Sequence, residues 1–183
     1  RSSDLQTSRR RSHPFVRVSC TRAATDQLDL ELFGHERGAF AGADRRRTGA
    51  LEAAGLGTVF LDDVAELDAS TQSKLLRTIE DGEAPRAGGT PVGVGARIIA
   101  ATSRDLAAEV EAGRFRRDLY YRLDAISIRL PSLRERTDEI PVLAEFLLER
   151  FAEKEGVPAK TLAPEALALL ARHSWPGNVR ELD

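Results

Sequence analysis

The chain has 183 residues, 42% hydrophobic and 31% charged, with a formal net charge of -2. That balance is apolar enough for an ordinary globular core and excludes a disordered chain. It gives no global argument for a nucleic-acid or membrane surface, and no apolar run approaches the roughly 20 residues of a membrane span.

The polar, Arg/Ser-rich start carries no signal-peptide pattern. The single Cys20 excludes an internal disulfide and suits a reducing, cytoplasmic setting. His13, His35 and His173 lie far apart without companion cysteines, so no zinc spacing is present. The lack of any Met, with an end at Asp183 inside a helix start, leads to the expectation of a fragment of a longer protein.

In chain order, Phe15–Val18 is the first strand candidate. The Arg9–Arg11 and Arg45–Arg47 clusters are expected on a solvated surface. Glu31–Ala43 has neither helical nor strand periodicity and sets Phe40 between small Gly/Ala pairs. Gly38 and Gly42 there read as hinges around an exposed aromatic tip, and such tips usually meet a partner. A small-residue turn that buries Phe40 is the alternative. Thr58–Leu61 is a second strand, followed by a helix over Asp68–Asp81 with Leu75, Leu76 and Ile79 at helical spacing. Asp68 is its expected N-cap and Gly82 its stop. Pro85–Gly95 predicts a loop or loose hairpin, Arg97–Ala101 a third strand and Ala125–Leu130 a fourth. Pro131–Arg136 reads as a linker, after which Ile140–Phe151 and Pro164–His173 form helices separated by Gly156 and Pro158. Strands alternating with helices predict a parallel α/β layer, followed by a small helical layer.

Several segments carry polar groups suited to chemistry. The strand Thr58–Leu61 ends in Asp62-Asp63, and ligands of open α/β sheets bind beyond the carboxyl ends of strands. A strand-terminal Asp can hold Mg²⁺ and a neighbouring acid can orient water, although a strand end capped by turn residues looks the same. The third strand ends in Thr102-Ser103-Arg104-Asp105. Arg116 and Arg122 flank an apolar stretch and could serve a neighbour's phosphates as arginine fingers, or form surface ion pairs with acids such as Asp118. Trp175–Leu182 is a turn entering a helix, with Asn178 as a possible cap and Arg180 projecting from the first turn.

Together and in this order, these segments resemble the AAA+ domain of bacterial sigma-54-dependent transcriptional activators. The most specific pieces are Glu31–Ala43, similar to the family's GAFTGA loop, and Arg116–Leu123; Leu130–Arg136 and Trp175–Leu182 also match. The resemblance implies an AAA+ P-loop NTPase-type three-layer parallel sheet over residues 1–136, lacking its first strand and P-loop. A truncated helical lid over residues 137–183 follows. It implies a ring, usually a hexamer, that uses ATP and Mg²⁺ to remodel sigma-54 RNA polymerase holoenzyme. Promoter-upstream DNA is then bound by a separate helix-turn-helix domain. Residue by residue, Gly38, Ala39, Phe40, Ala41, Gly42 and Ala43 are the sigma-54 contact. Asp62 is the Mg²⁺ ligand, Asp63 the catalytic acid position and Ser103 the sensor I position. Arg116 and Arg122 act in trans, which requires a head-to-tail ring, and Arg180 is the sensor II arginine. Pro85–Gly95 matches a second pore loop.

Departures from the family pattern accompany the matches. Ala41 stands where the family has Thr, Asp63 where it has Glu, Ser103 where it has Asn, and Ser19 where Asn precedes the Cys. Shortening a catalytic side chain matters because a misplacement of about 1 Å can cost on the order of 100-fold. No G-x-x-x-x-G-K motif occurs in the chain, and without that cradle the β- and γ-phosphates lack their principal site. The chain by itself is therefore expected not to hydrolyse ATP. The alternative function is a degenerate AAA+ scaffold for oligomerisation without productive hydrolysis; another AAA+ motor class fits the Phe40 loop poorly.

Overall fold

The computed structural model describes residues 8–21 and 25–183, which fall into two compact units, Arg1–Ile126 and Ser127–Asp183. The first unit runs β1 (Phe15–Ser19), α1 (Thr25–Phe33), the short β2 (Gly34–His35) and β3 (Arg47–Thr48), then α2 (Ala50–Ala53) and β4 (Thr58–Asp62). It continues with α3 (Ala69–Asp81), the short β5 (Glu83–Ala84) and β6 (Val92–Gly93), β7 (Arg97–Ala101), α4 (Leu106–Glu111) and α5 (Arg117–Leu123).

Three strands form one parallel sheet in the order β1-β4-β7, in agreement with the α/β expectation. Val18, Leu61 and Ala100 face each other in register. Val18, Val59 and Leu61 are fully buried in one apolar cluster with Leu28 and Leu32 of α1, Leu51 of α2, Leu75 of α3 and Leu119 of α5. Each such side chain contributes about 1.5–3 kcal/mol on burial, so this cluster is the main source of the unit's stability. Phe15 and Phe60 stack at 6.1 Å, with Phe15 left 44% exposed.

The α3 helix starts where its sequence predicts. Asp68 Oδ1 accepts from the Ser70 and Thr71 amides at 2.8 and 3.1 Å, satisfying donors that a helix start otherwise leaves free. Gly82 closes the helix in the left-handed region at φ 70°. Pro85–Gly95 is the turn and returning arm of an antiparallel hairpin formed by β5 and β6.

Three expectations change. Ala125–Leu130 alternates like a strand but forms none, and Ile126, Ile128 and Leu130 are 77–84% exposed, because no strand edge is paired with it. Pro131–Arg136 is no mere linker. Leu133 is completely buried with Ile140 and Trp175, and Ser132 and Glu135 form a reciprocal capping box around it. The second unit then runs α6 (Ile140–Glu155), α7 (Pro164–Arg172) and α8 (Val179–Leu182). Asn178 holds the N-cap position of α8, but its side chain does not cap the helix; its Oδ1 accepts from the Leu133 amide at 2.7 Å.

Cys20 follows β1 and is buried. Burial, reinforced by the charges of Asp62, Asp63 and Glu31, pushes its thiol from 9.0 up to about 12. The unfolded thiol ionises first, so this group's stabilising contribution is complete below pH 9 and is lost as pH rises toward 12. Iodoacetamide at pH 8.5 should label Cys20 rapidly in denaturant and barely in the folded chain, as read by mass spectrometry.

Candidate functional site

Parallel strands end at a common edge, and this edge carries the acids. Asp62 closes β4 opposite Ser19 of β1 and Ala101 of β7. Arg17, from β1, pairs with the Asp62 carboxylate. Asp63 takes the left-handed conformation, φ 59° and ψ 53°, which Asp tolerates better than most residues. Ser103 Oγ, just past β7, approaches Asp63 Oδ1 at 3.5 Å, at the limit of a hydrogen bond. The strand ends thus bring Asp62, Asp63 and Ser103 together. Among the described residues no cluster of three or more His, Cys, Asp or Glu side chains could hold a metal unaided.

Arg116 and Arg122 bracket α5 and are held by acids of their own chain. Arg116 makes a two-pronged pair with Asp118, Nε to Oδ1 at 3.0 Å and Nη2 to Oδ2 at 2.7 Å, and its Nη1 reaches Ser73 Oγ at 3.2 Å. That pairing holds the Asp118 carboxyl below its ordinary range and raises the guanidinium. Arg122 Nη2 donates to Glu80 Oε1 at 3.2 Å. Both guanidiniums are half-exposed, so these pairs are weak and exchangeable. Arg180 is exposed on α8 of the second unit.

The Phe40 loop rises between β2 and β3. Gly38 and Gly42 have φ of 78° and 96°, which only glycine adopts without strain. Phe40 is 44% exposed and Ala41 and Gly42 are open, whereas Ala43 is buried at 4%. The loop stands on the β5–β6 hairpin: the Glu36 amide donates to the Ala87 carbonyl at 3.0 Å, and a Cβ at Gly88 would lie 2.8 Å from the Ala39 Cβ. Arg86 from the hairpin is almost wholly buried and pairs with Glu36, at the loop base, and with Glu52 of α2. Arg46, exposed as expected for its cluster, joins both carboxylates, at 3.6 Å to Glu36 and 2.8 Å to Glu52.

Two residues of this arrangement have no counterpart among the sequence-based candidates. Arg86 sits in a Gly/Pro-rich stretch whose local pattern says nothing about burial. Gln72 is buried at 1%; its Nε2 donates to the Leu67 and Arg114 carbonyls at 2.7 and 3.0 Å, and its Oε1 accepts from the Arg116 amide at 2.8 Å. A polar residue at 72, in phase with Leu75, Leu76 and Ile79, is the signal that points to it.

A parallel sheet with acids at its carboxyl edge, arginines at the start of and within a following helix, and a separate helical unit agree with the AAA+ class expected from the sequence. Residues 3–129 match the family described as the sigma-54 interaction domain, and residues 134–183 match the AAA+ ATPase lid domain. The chain belongs to the sigma-54 interaction domain family. It is 53% identical over 175 residues to the Nif-specific regulatory protein of Azotobacter vinelandii, covering 94% of this chain and 33% of that protein. It is 49% identical to the transcriptional regulatory protein ZraR of Escherichia coli, covering 96% of this chain and 40% of ZraR. Crystal structures of NtrX from Brucella abortus superpose with a TM-score of 0.89 at 39% identity, covering 97% of this chain and 40% of that one. Structures of the same NtrX with ADP and with ATP match at TM-scores of 0.89 and 0.88. The chain therefore spans about a third to two-fifths of these relatives' length.

Gln72→Leu keeps the helix but strips the Leu67 and Arg114 carbonyls and the Arg116 amide of their partners, and should cost about 2–5 kcal/mol in urea unfolding. Arg86→Ala leaves Glu36 and Glu52 sharing only Arg46. Their partial exposure limits the loss to about 1–3 kcal/mol, and limited proteolysis should cut first within the Phe40 loop or the hairpin beneath it.

Proposed function

We propose that this chain is the sigma-54-engaging module of a transcriptional regulator, with the exposed face of Gly38–Ala43 as its contact and Phe40 as the anchor. The observation that carries this reading is the Phe40 loop, solvent-facing yet braced from beneath by the hairpin, in a chain of the sigma-54 interaction domain family. Loose exposed apolar residues are common, but a braced one displayed at a loop tip is suited to recognition.

In the intact protein the ring assembly and the nucleotide site follow the family pattern. NtrX structures holding ADP and ATP support nucleotide binding by this fold. The Gly-rich phosphate cradle with its Lys is not within residues 1–183, so these residues supply the hydrolytic side of the site rather than its cradle. ATP with Mg²⁺ supplies the free energy of phosphoryl transfer when bound. Asp62 would turn its carboxylate from Arg17 toward the ion, Asp63 would orient water, and Ser103, 3.5 Å from Asp63, would stand at the sensor I position. Arg116 and Arg122 would exchange Asp118 and Glu80 for a neighbouring subunit's phosphates, which favours a head-to-tail ring. Arg180 serves as the lid's arginine, and DNA contact falls to a separate domain.

Binding of the 183-residue chain to purified sigma-54, followed by fluorescence anisotropy, tests the contact. Phe40→Ala should weaken it at least tenfold, as loss of a central aromatic anchor does, and Ala41→Thr should strengthen it. Equal binding by the unsubstituted chain and Phe40→Ala would sink the assignment. The chain alone with Mg²⁺ and ATP should release no phosphate above background; clear turnover would overturn the division of the site.

A further inference from the structure

The tip residue Phe40 rests on a neighbour of its own loop. Its ring meets the His35 ring edge-on, with centroids 5.0 Å apart and an interplanar angle of 64°, a favoured arrangement for two aromatic rings. His35 is only 8% exposed, its Nδ1 lies 3.1 Å from the Glu36 carbonyl oxygen, and its backbone pairs with Arg47 and bridges to Ala87. Backbone bonds close the loop around this contact: the Gly38 amide donates to the Ala43 carbonyl at 2.8 Å, and the Ala43 amide to the Phe40 carbonyl at 3.0 Å. The platform is thus fixed on both sides, while 44% of the Phe40 surface stays open. An aromatic ring already seated loses less freedom when a partner closes over it.

We infer that His35 is a positioning residue that holds Phe40 in a pre-formed orientation for recognition by sigma-54. This rests on the role proposed above for the loop. The test labels the chain with 4-fluorophenylalanine and identifies the Phe40 fluorine resonance by its loss in Phe40→Ala. His35→Ala should move that resonance toward its position in the unfolded chain, and His35→Phe, which restores a ring, should hold it. Sigma-54 affinity of the same proteins should fall about three- to tenfold in His35→Ala and recover in His35→Phe. Should His35→Ala fail to fold, His35→Leu supplies the non-aromatic arm. An unmoved Phe40 resonance in the non-aromatic variant overturns the inference. So does undiminished sigma-54 binding by that variant where Phe40→Ala binds weakly. If Phe40→Ala binds as well as the unsubstituted chain, the sigma-54 role falls, and the fluorine spectrum alone decides whether His35 seats the ring.

Discussion

The pairing of β4 on both sides is the constraint from which the first unit's layout follows. Parallel strands in register end together, so Ser19, Asp62 and Ala101 share an edge, and the residues just beyond, Asp63 and Ser103, meet there. Slipping β4 by one residue would turn Val59 and Leu61 out of the core and Phe60 into it. The core therefore fixes the position of the acids: burial of Val59 and Leu61 and display of Asp62 and Asp63 are one choice of register.

Polar side chains, rather than more apolar surface, tie the displayed parts to that frame. Gln72 joins the end of the turn before α3 to the Arg114 carbonyl and the Arg116 amide, so α3 sets where one arginine starts. Arg86 joins the Phe40 loop, the hairpin and α2, the element that leads into β4. Each has a chemical reason to be unique in its place. Gln72 uses donor and acceptor ends at once, and Arg86 presents several N–H groups to two carboxylates.

Much of the fold was legible because apolar period and caps act locally. The strands Phe15, Thr58 and Arg97, the Asp68 cap and the Gly82 stop all stand where their patterns put them. The chemical edge was legible too, since strand-terminal acids follow from strand placement. Ala125–Leu130 misled because alternation shows only that a strand could form, while pairing needs a free neighbouring edge. Asn178 misled because a side chain can satisfy a distant amide as readily as a local one. Arg86 and Gln72 were hidden for the same reason: their partners lie 34 to 50 and 42 to 44 residues away along the chain, apart from one local carbonyl.

Asp63 stands at a turn whose backbone bears on the side chain it can carry. Its backbone is left-handed, a conformation that short polar side chains accept at little cost and longer ones resist. Position 63 therefore sets reach against backbone comfort. A glutamate would extend the carboxylate by one methylene while adding conformational strain at the turn, and aspartate relaxes the turn while withdrawing the carboxylate. Aspartate at position 63, directly after the end of β4, therefore favours the resting turn over reach.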